Sequence, residues 1–140
     1  MSSPMAMDTT DPRHPVRGGD RILAPLCLTL ATALLHLRFG RVVAVAGWTA
    51  RRCHRPATEG EAASITTALR HAARHRPGRM ACLELSLAAV LLAGLRRHSV
   101  TWCIGARLMP YASHAWIEID GHPVGEPAAR DRPYHVLLRV

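Results

Sequence analysis

Fourteen residues, Cys82-Leu-Glu-Leu-Ser-Leu-Ala-Ala-Val-Leu-Leu-Ala-Gly-Leu95, carry a single charge and come shortly after a helix-breaking Pro77-Gly78. A helix apolar nearly all round has no face to give to water, so other elements must cover it on several sides. This run therefore predicts the central helix of a domain, from Cys82 to Arg96-Arg97, with Leu83, Leu87, Val90, Leu91 and Leu95 in its packing. Cys82 stands at its first turn. Unpaired backbone N–H groups and the helix dipole at that end favour a thiolate.

The chain after this helix has strand character. Val100–Arg107 is β-branched and aromatic, Met109–Ser113 reads as a turn, and His114-Ala-Trp-Ile-Glu-Ile119 as a second strand. With a period of two, Ala115, Ile117 and Ile119 share one face while His114, Trp116 and Glu118 share the other. Asp120-Gly121 is a tight hairpin dipeptide, a short strand follows around Pro123–Val124, and Tyr134–Val140 is a last apolar strand. Antiparallel strands against one buried helix make an α+β arrangement. His114 lies off the aliphatic face, so a pure core role is disfavoured. A histidine facing the start of the helix would hold a Cys82 thiolate as an ion pair and later protonate a leaving amine. Two carboxylates downstream are candidates to orient its ring. Asp120 sits in a turn whose local chemistry already explains an aspartate, whereas Glu126 lies just past the next strand. Trp116 either walls the site or packs the sheet.

Upstream, residues 1–20 lack apolar periodicity and read as a disordered tail, without the basic start and apolar stretch of a secretory signal. Ile22–Leu37 is the most hydrophobic segment. Leu23, Leu26, Leu30, Ala33, Leu34 and Leu37 fall on one helical stripe, which Leu28 and Leu35 widen almost all round. It is short of the ~20 residues that span a bilayer, and Arg38 and Arg41 interrupt its continuation into Val42–Trp48. A helical hairpin hinged near Gly40 and packed on the domain is the favoured reading. Docking to a partner or lying on a membrane with snorkelling arginines through residues 22–50 is the less favoured one. Residues 51–57 read as a basic linker. Thr58 and Glu61 form a capping box for a helix running to about His75, with Ile65, Leu69, Ala72 and Ala73 inside. The division expected is thus tail 1–20, helical segment 21–56 and core 57–140.

At 140 residues there is room for one small domain with one core. The net charge of +8 comes from 18 arginines, Lys being absent, against 10 acids. Such a chain suits nucleic acid, an anionic surface or an acidic polypeptide. Cys27, Cys53, Cys82 and Cys103 form no CxxC pair, so neither a zinc site nor a disulfide framework is expected, and the compartment reads as reducing cytoplasm. Cys27 and Cys103 read as small buried apolar residues.

Cys82 opening an apolar helix, with His-Ala-Trp-Ile-Glu-Ile-Asp-Gly121 beginning 32 positions later, resembles the transglutaminase-like cysteine peptidases of lasso-peptide biosynthesis. It is most similar to the stand-alone leader peptidases, which elsewhere form the C-terminal half of a longer B protein. The resemblance implies a papain/transglutaminase-like core and a Cys82–His114–acid triad. It places the acid on Glu126, where the family usually has an aspartate, with Asp120 as the alternative. It implies removal of the leader from a ribosomally made precursor before macrolactam closure, with no metal or organic cofactor. The implied partners are the precursor, a leader-recognition protein and an ATP-dependent macrolactam synthetase. A chain of this length leaves no room for a leader-binding domain of its own. Two other classes stand beside this one: a same-fold acyltransferase, and a non-catalytic basic module for nucleic acid or membrane. Nucleic acid is not the expected partner.

Overall fold

The computed structural model describes residues 16–77, 81–125 and 134–140. Helices α1 (Asp20–Leu34), α2 (Phe39–Arg52), α3 (Glu59–Arg74) and α4 (Cys82–Leu95) are joined by a two-residue strand, β1 (Arg55–Pro56). The strands that follow are β2 (His98–Ser99), β3 (Thr101–Leu108), β4 (Tyr111–Ile119), β5 (His122–Pro123) and β6 (His135–Arg139). The fold is α+β, as the residue pattern predicts. β3 to β6 form an antiparallel sheet in the order β5-β4-β3-β6, and β1 pairs with β2 in parallel.

The apolar run does become the centre. Leu87, Ala88, Leu92 and Ala93 of α4 are fully buried, and α1, α2, α3 and the β3–β4 hairpin all pack on it. Burying each such leucine contributes roughly 1.5–3 kcal/mol. Trp102 of β3 is also completely buried, and its indole N–H donates to Ser86 Oγ of α4 at 2.9 Å. Opposite Trp102 on β4 is Ile117, so the sheet face toward α4 carries Trp102, Ile104, Ala115 and Ile117.

Several expectations are corrected. The tail reading stops short of residue 20: Asp20 opens α1 and is 2% exposed. Arg96, beyond the end of α4, donates from Nε to Asp20 Oδ1 at 3.0 Å and pairs with its other oxygen. Residues 1–15 lie outside the described residues. The break between α1 and α2 falls at Leu35–Arg38, not at Gly40. Arg38 takes an extended conformation at the N-cap of α2 and Gly40 is helical. Both helices pack on the domain as expected, each lying against α4. The stripe of larger leucines does not turn inward. The inner face of α1 is Ala24, Cys27, Leu28 and Ala31, while Leu26 and Leu30 are 59% and 51% exposed. Small side chains let α1 approach the alanine-rich α4 closely, and that close packing outweighs the hydrophobicity of the longer residues. The basic linker is shorter than expected, because α2 runs through Arg52 and Arg55–Pro56 pairs with His98–Ser99.

Candidate active site

Cys82 is the first residue of α4 and is half-buried. The N-termini of α3 and α4 differ in a way that bears on chemistry. On α3, Thr58 Oγ1 accepts from the Glu61 N–H at 3.2 Å and the Glu61 carboxylate accepts from the Thr58 N–H at 2.8 Å, the expected capping box. The cap residue of α4 is Ala81, which has no side-chain acceptor; only the returning bond is made, from the Ala81 N–H to Glu84 at 3.1 Å. The first-turn N–H groups are therefore not taken by their cap residue, and their positive potential gathers where Cys82 stands. The other thiols have different surroundings. Cys27 and Cys103 are buried, and burial pushes each up to about 11. Cys53 donates its S–H to the Gly94 carbonyl at 3.8 Å.

His114 lies on β4 opposite Gly105 of β3, on the sheet face that also bears Trp116 and Glu118. Its imidazole stacks on Trp116, with centroids 5.9 Å apart and planes 18° off parallel, and meets the Tyr134 ring at 5.4 Å. Gly105 is what makes room. A Cβ there would come within 2.7 Å of the Trp116 ring and 2.8 Å of the His135 carbonyl. The orientation of Trp116 is fixed from the other side, because its indole N–H donates to Glu118 Oε1 at 2.9 Å. Glu118 is 4% exposed, and Arg139 of β6 pairs with it at 3.1 Å. Arg107 in turn covers Tyr134, 5.1 Å from its centroid. His114 thus belongs to a ladder, Arg139–Glu118–Trp116–His114, that holds its ring by stacking. Trp116 both packs the sheet and walls the histidine.

The four sequence-derived site positions are distributed as follows. Cys82 and His114 stand on neighbouring elements, α4 and β4, but β4 turns Ala115 and Ile117 toward α4 and His114 to the other face of the sheet. Asp120 is exposed, in the turn after β4, where it and Gly121 have φ of 50° and 78°, the left-handed pair of a hairpin turn. Six residues of extended chain separate it from His114, about 20 Å, so Asp120 is not placed to orient that ring. Glu126 lies outside the described residues. Its neighbour Gly125 (φ 69°) accepts a hydrogen bond from Arg70 of α3 at 2.5 Å, which ties this part of the chain to α3. Among the described residues no cluster of three or more His, Cys, Asp or Glu side chains is arranged to hold a metal. A cavity of about 320 Å³ lined by Ala50, Arg51, Val100, Glu118 and Ile119 opens at the far end of β4 from His114.

A comparison with protein families decides the kinship. The family model described as the transglutaminase-like superfamily matches residues 26–139. The chain belongs to that superfamily. The match begins inside α1, so the superfamily region takes in the N-terminal helices as well as the sheet. Members of the transglutaminase-like superfamily are commonly cysteine-dependent enzymes, which agrees with a cysteine opening the core helix. No curated protein and no solved structure matches the chain.

Sequence reasoning gave no role to Gly105, Glu118, Tyr134 or Arg139. The strand alternation already put Glu118 on the His114 face. The other three are brought in by strand pairing, β6 against β3 and β3 against β4, which periodicity does not encode. Ser86, one turn after Cys82, is structural: it accepts from Trp102 and donates to the Leu83 carbonyl.

Proposed function

We propose that this chain is a cytoplasmic cysteine peptidase that cuts the leader from a ribosomally synthesised lasso-peptide precursor before macrolactam closure. The observation that carries the reading is Cys82 at the start of the core helix of a transglutaminase-like chain, with the His-Ala-Trp-Ile-Glu-Ile-Asp-Gly run on the strand packed against that helix. α4 and β4 are packed together, but the alternation along β4 turns Ala115 and Ile117 toward α4 and His114 to the other face of the sheet, so the pairing of His114 with Cys82 rests on the resemblance.

In this reading the Cys82 thiolate attacks the scissile carbonyl carbon, and the oxyanion takes a hydrogen bond from the Cys82 N–H. The carbon–nitrogen bond then breaks as protonated His114 gives its proton to the leaving amine, the new N-terminus of the core peptide. Water attacks the thioester while His114 takes its proton, and the leader leaves as a carboxylate with the thiolate restored. Glu126 orients the imidazole. A leader-recognition protein delivers the precursor, and an ATP-dependent macrolactam synthetase consumes the freed amine.

The test is mass spectrometry of the precursor after incubation with this chain and its leader-recognition partner. One leader–core cut is expected, absent from Cys82→Ala and from His114→Ala, since such groups act as a unit. Added amine donors separate hydrolysis from acyl transfer, because a product heavier by the amine would mark an acyltransferase. An uncut precursor together with a Cys82 that ignores thiol probes would overturn the catalytic reading.

A further inference from the structure

The face of α1 turned away from the core is apolar, and this has no explanation in the catalytic site. Ile22, Leu26 and Leu30 follow one another at four-residue spacing and are 68%, 59% and 51% exposed. They lie on the side of α1 opposite Ala24, Cys27 and Ala31. Leu37 and Phe39, at the corner into α2, extend the surface, and Trp48 is exposed farther along α2. Isolated surface leucines need no account, but a helix apolar on both faces does.

Charge says what covers it. From Arg21 to Thr58 the sequence contains no acidic residue and six arginines, Arg21, Arg38, Arg41, Arg51, Arg52 and Arg55. Of the acids just outside this stretch, Asp20 is buried against Arg96, Glu61 is engaged by Arg55, and Glu59 is exposed on the first turn of α3. A protein partner is normally met with both signs of charge, because complementary pairs fix the register. A surface of one sign specifies no register and matches a partner that has none, a sheet of like negative charges. Arginine stems also lie along apolar surface while their heads reach outward, and tryptophan and phenylalanine suit the headgroup level. No described helix is long and apolar enough to cross a membrane, so the contact is along the surface.

We propose that α1 and the start of α2 form a docking face for an anionic lipid bilayer, which α1 meets through Ile22, Leu26 and Leu30 with Arg21, Arg38 and Arg41 on the headgroups. The proposal is independent of the peptidase reading.

The experiment is co-sedimentation of the full chain with sucrose-loaded vesicles of 70:30 phosphatidylcholine:phosphatidylglycerol, beside vesicles of phosphatidylcholine alone. Binding at least tenfold tighter to the anionic vesicles is expected, and it should fall several-fold between 0.1 and 0.5 M salt. Leu26→Ser/Leu30→Ser and Arg38→Glu/Arg41→Glu should each lose most of the binding while keeping the circular dichroism of the parent. Leu137→Ser, an exposed apolar residue on β6, should keep it. Trp102 and Trp116 are buried, so a blue shift of tryptophan emission on adding vesicles reports Trp48 and should vanish in Trp48→Phe. Equal affinity for both vesicle types, or binding that survives both double substitutions, overturns the proposal. So does an absence of binding of the parent chain to either vesicle type, which would leave the face to a protein partner.

Discussion

Replacing Asp20 by alanine should be among the most damaging single changes available outside the core. Its side chain is 3% exposed and that of its partner Arg96 is 9% exposed. Burial already pulls the Arg96 guanidinium below its ordinary range, and nearby Arg17 adds to this. Without Asp20, Arg96 is left as a buried cation with no counter-charge at that contact, a situation that costs about 3–5 kcal/mol. In a domain of this size that corresponds to a fall in melting temperature of about 10–20 °C. Urea unfolding followed by circular dichroism at 222 nm gives the free energy directly. The paired substitution Asp20→Leu/Arg96→Leu removes both charges and should recover most of the loss, because the damage comes from the orphaned charge rather than from a missing attraction. A loss below about 1 kcal/mol in Asp20→Ala, or a double variant as unstable as the single one, would refute the account. It would also detach the first turn of α1 from the core.

The packing around Gly105 makes Gly105→Ala a site-directed change in disguise. The new methyl meets the His135 carbonyl and the Trp116 ring, and a loss of about 1–3 kcal/mol is expected together with weaker precursor cleavage, read from unfolding curves and turnover in parallel. Native labelling with iodoacetamide at pH 8 followed by peptide mapping should mark Cys82 well before Cys27 and Cys103, whose burial keeps them as thiols. Acid should weaken the fold through two linked groups. Hydrogen bonds from Thr58 and then Arg55 hold Glu61 down at about 2 from 4.5, so its contribution is present above 4.5 and is lost as pH falls toward 2. Burial lowers His98, so the unfolded chain takes up that proton first, and stability declines as pH drops below about 6.5. Glu61→Gln should flatten the lower part of the stability curve measured by urea unfolding from pH 7 to pH 3.

How much of this was legible beforehand depended on the range of the forces involved. The Cys82–Leu95 helix, the Thr58–Glu61 cap and the Asp120-Gly121 turn were readable because each is decided within a few residues. The alternation along β4 gave the face shared by His114, Trp116 and Glu118. The direction in which α1 faces was not readable. Both its stripes are apolar, and the choice between them depends on how closely Ala24 and Ala31 let it approach α4, a property of two surfaces. Arg139 and Tyr134 reach the His114 ladder only through the pairing of β6 with β3, across a long separation in sequence. Glu126 remains a proposal that rests on the resemblance, whereas extended-chain geometry removes Asp120.

Cys82, the proposed nucleophile, stands on the helix that every other described helix and the sheet lean against. Its position is thus inherited from the hydrophobic interior and not from a loop that drifts on its own. Evolution cannot then adjust packing and reactivity as separate variables in this chain. A volume change at Leu87 or Leu92 shifts the helix that carries Cys82, while the exposed Leu26 and Leu30 of α1 stand outside that packing.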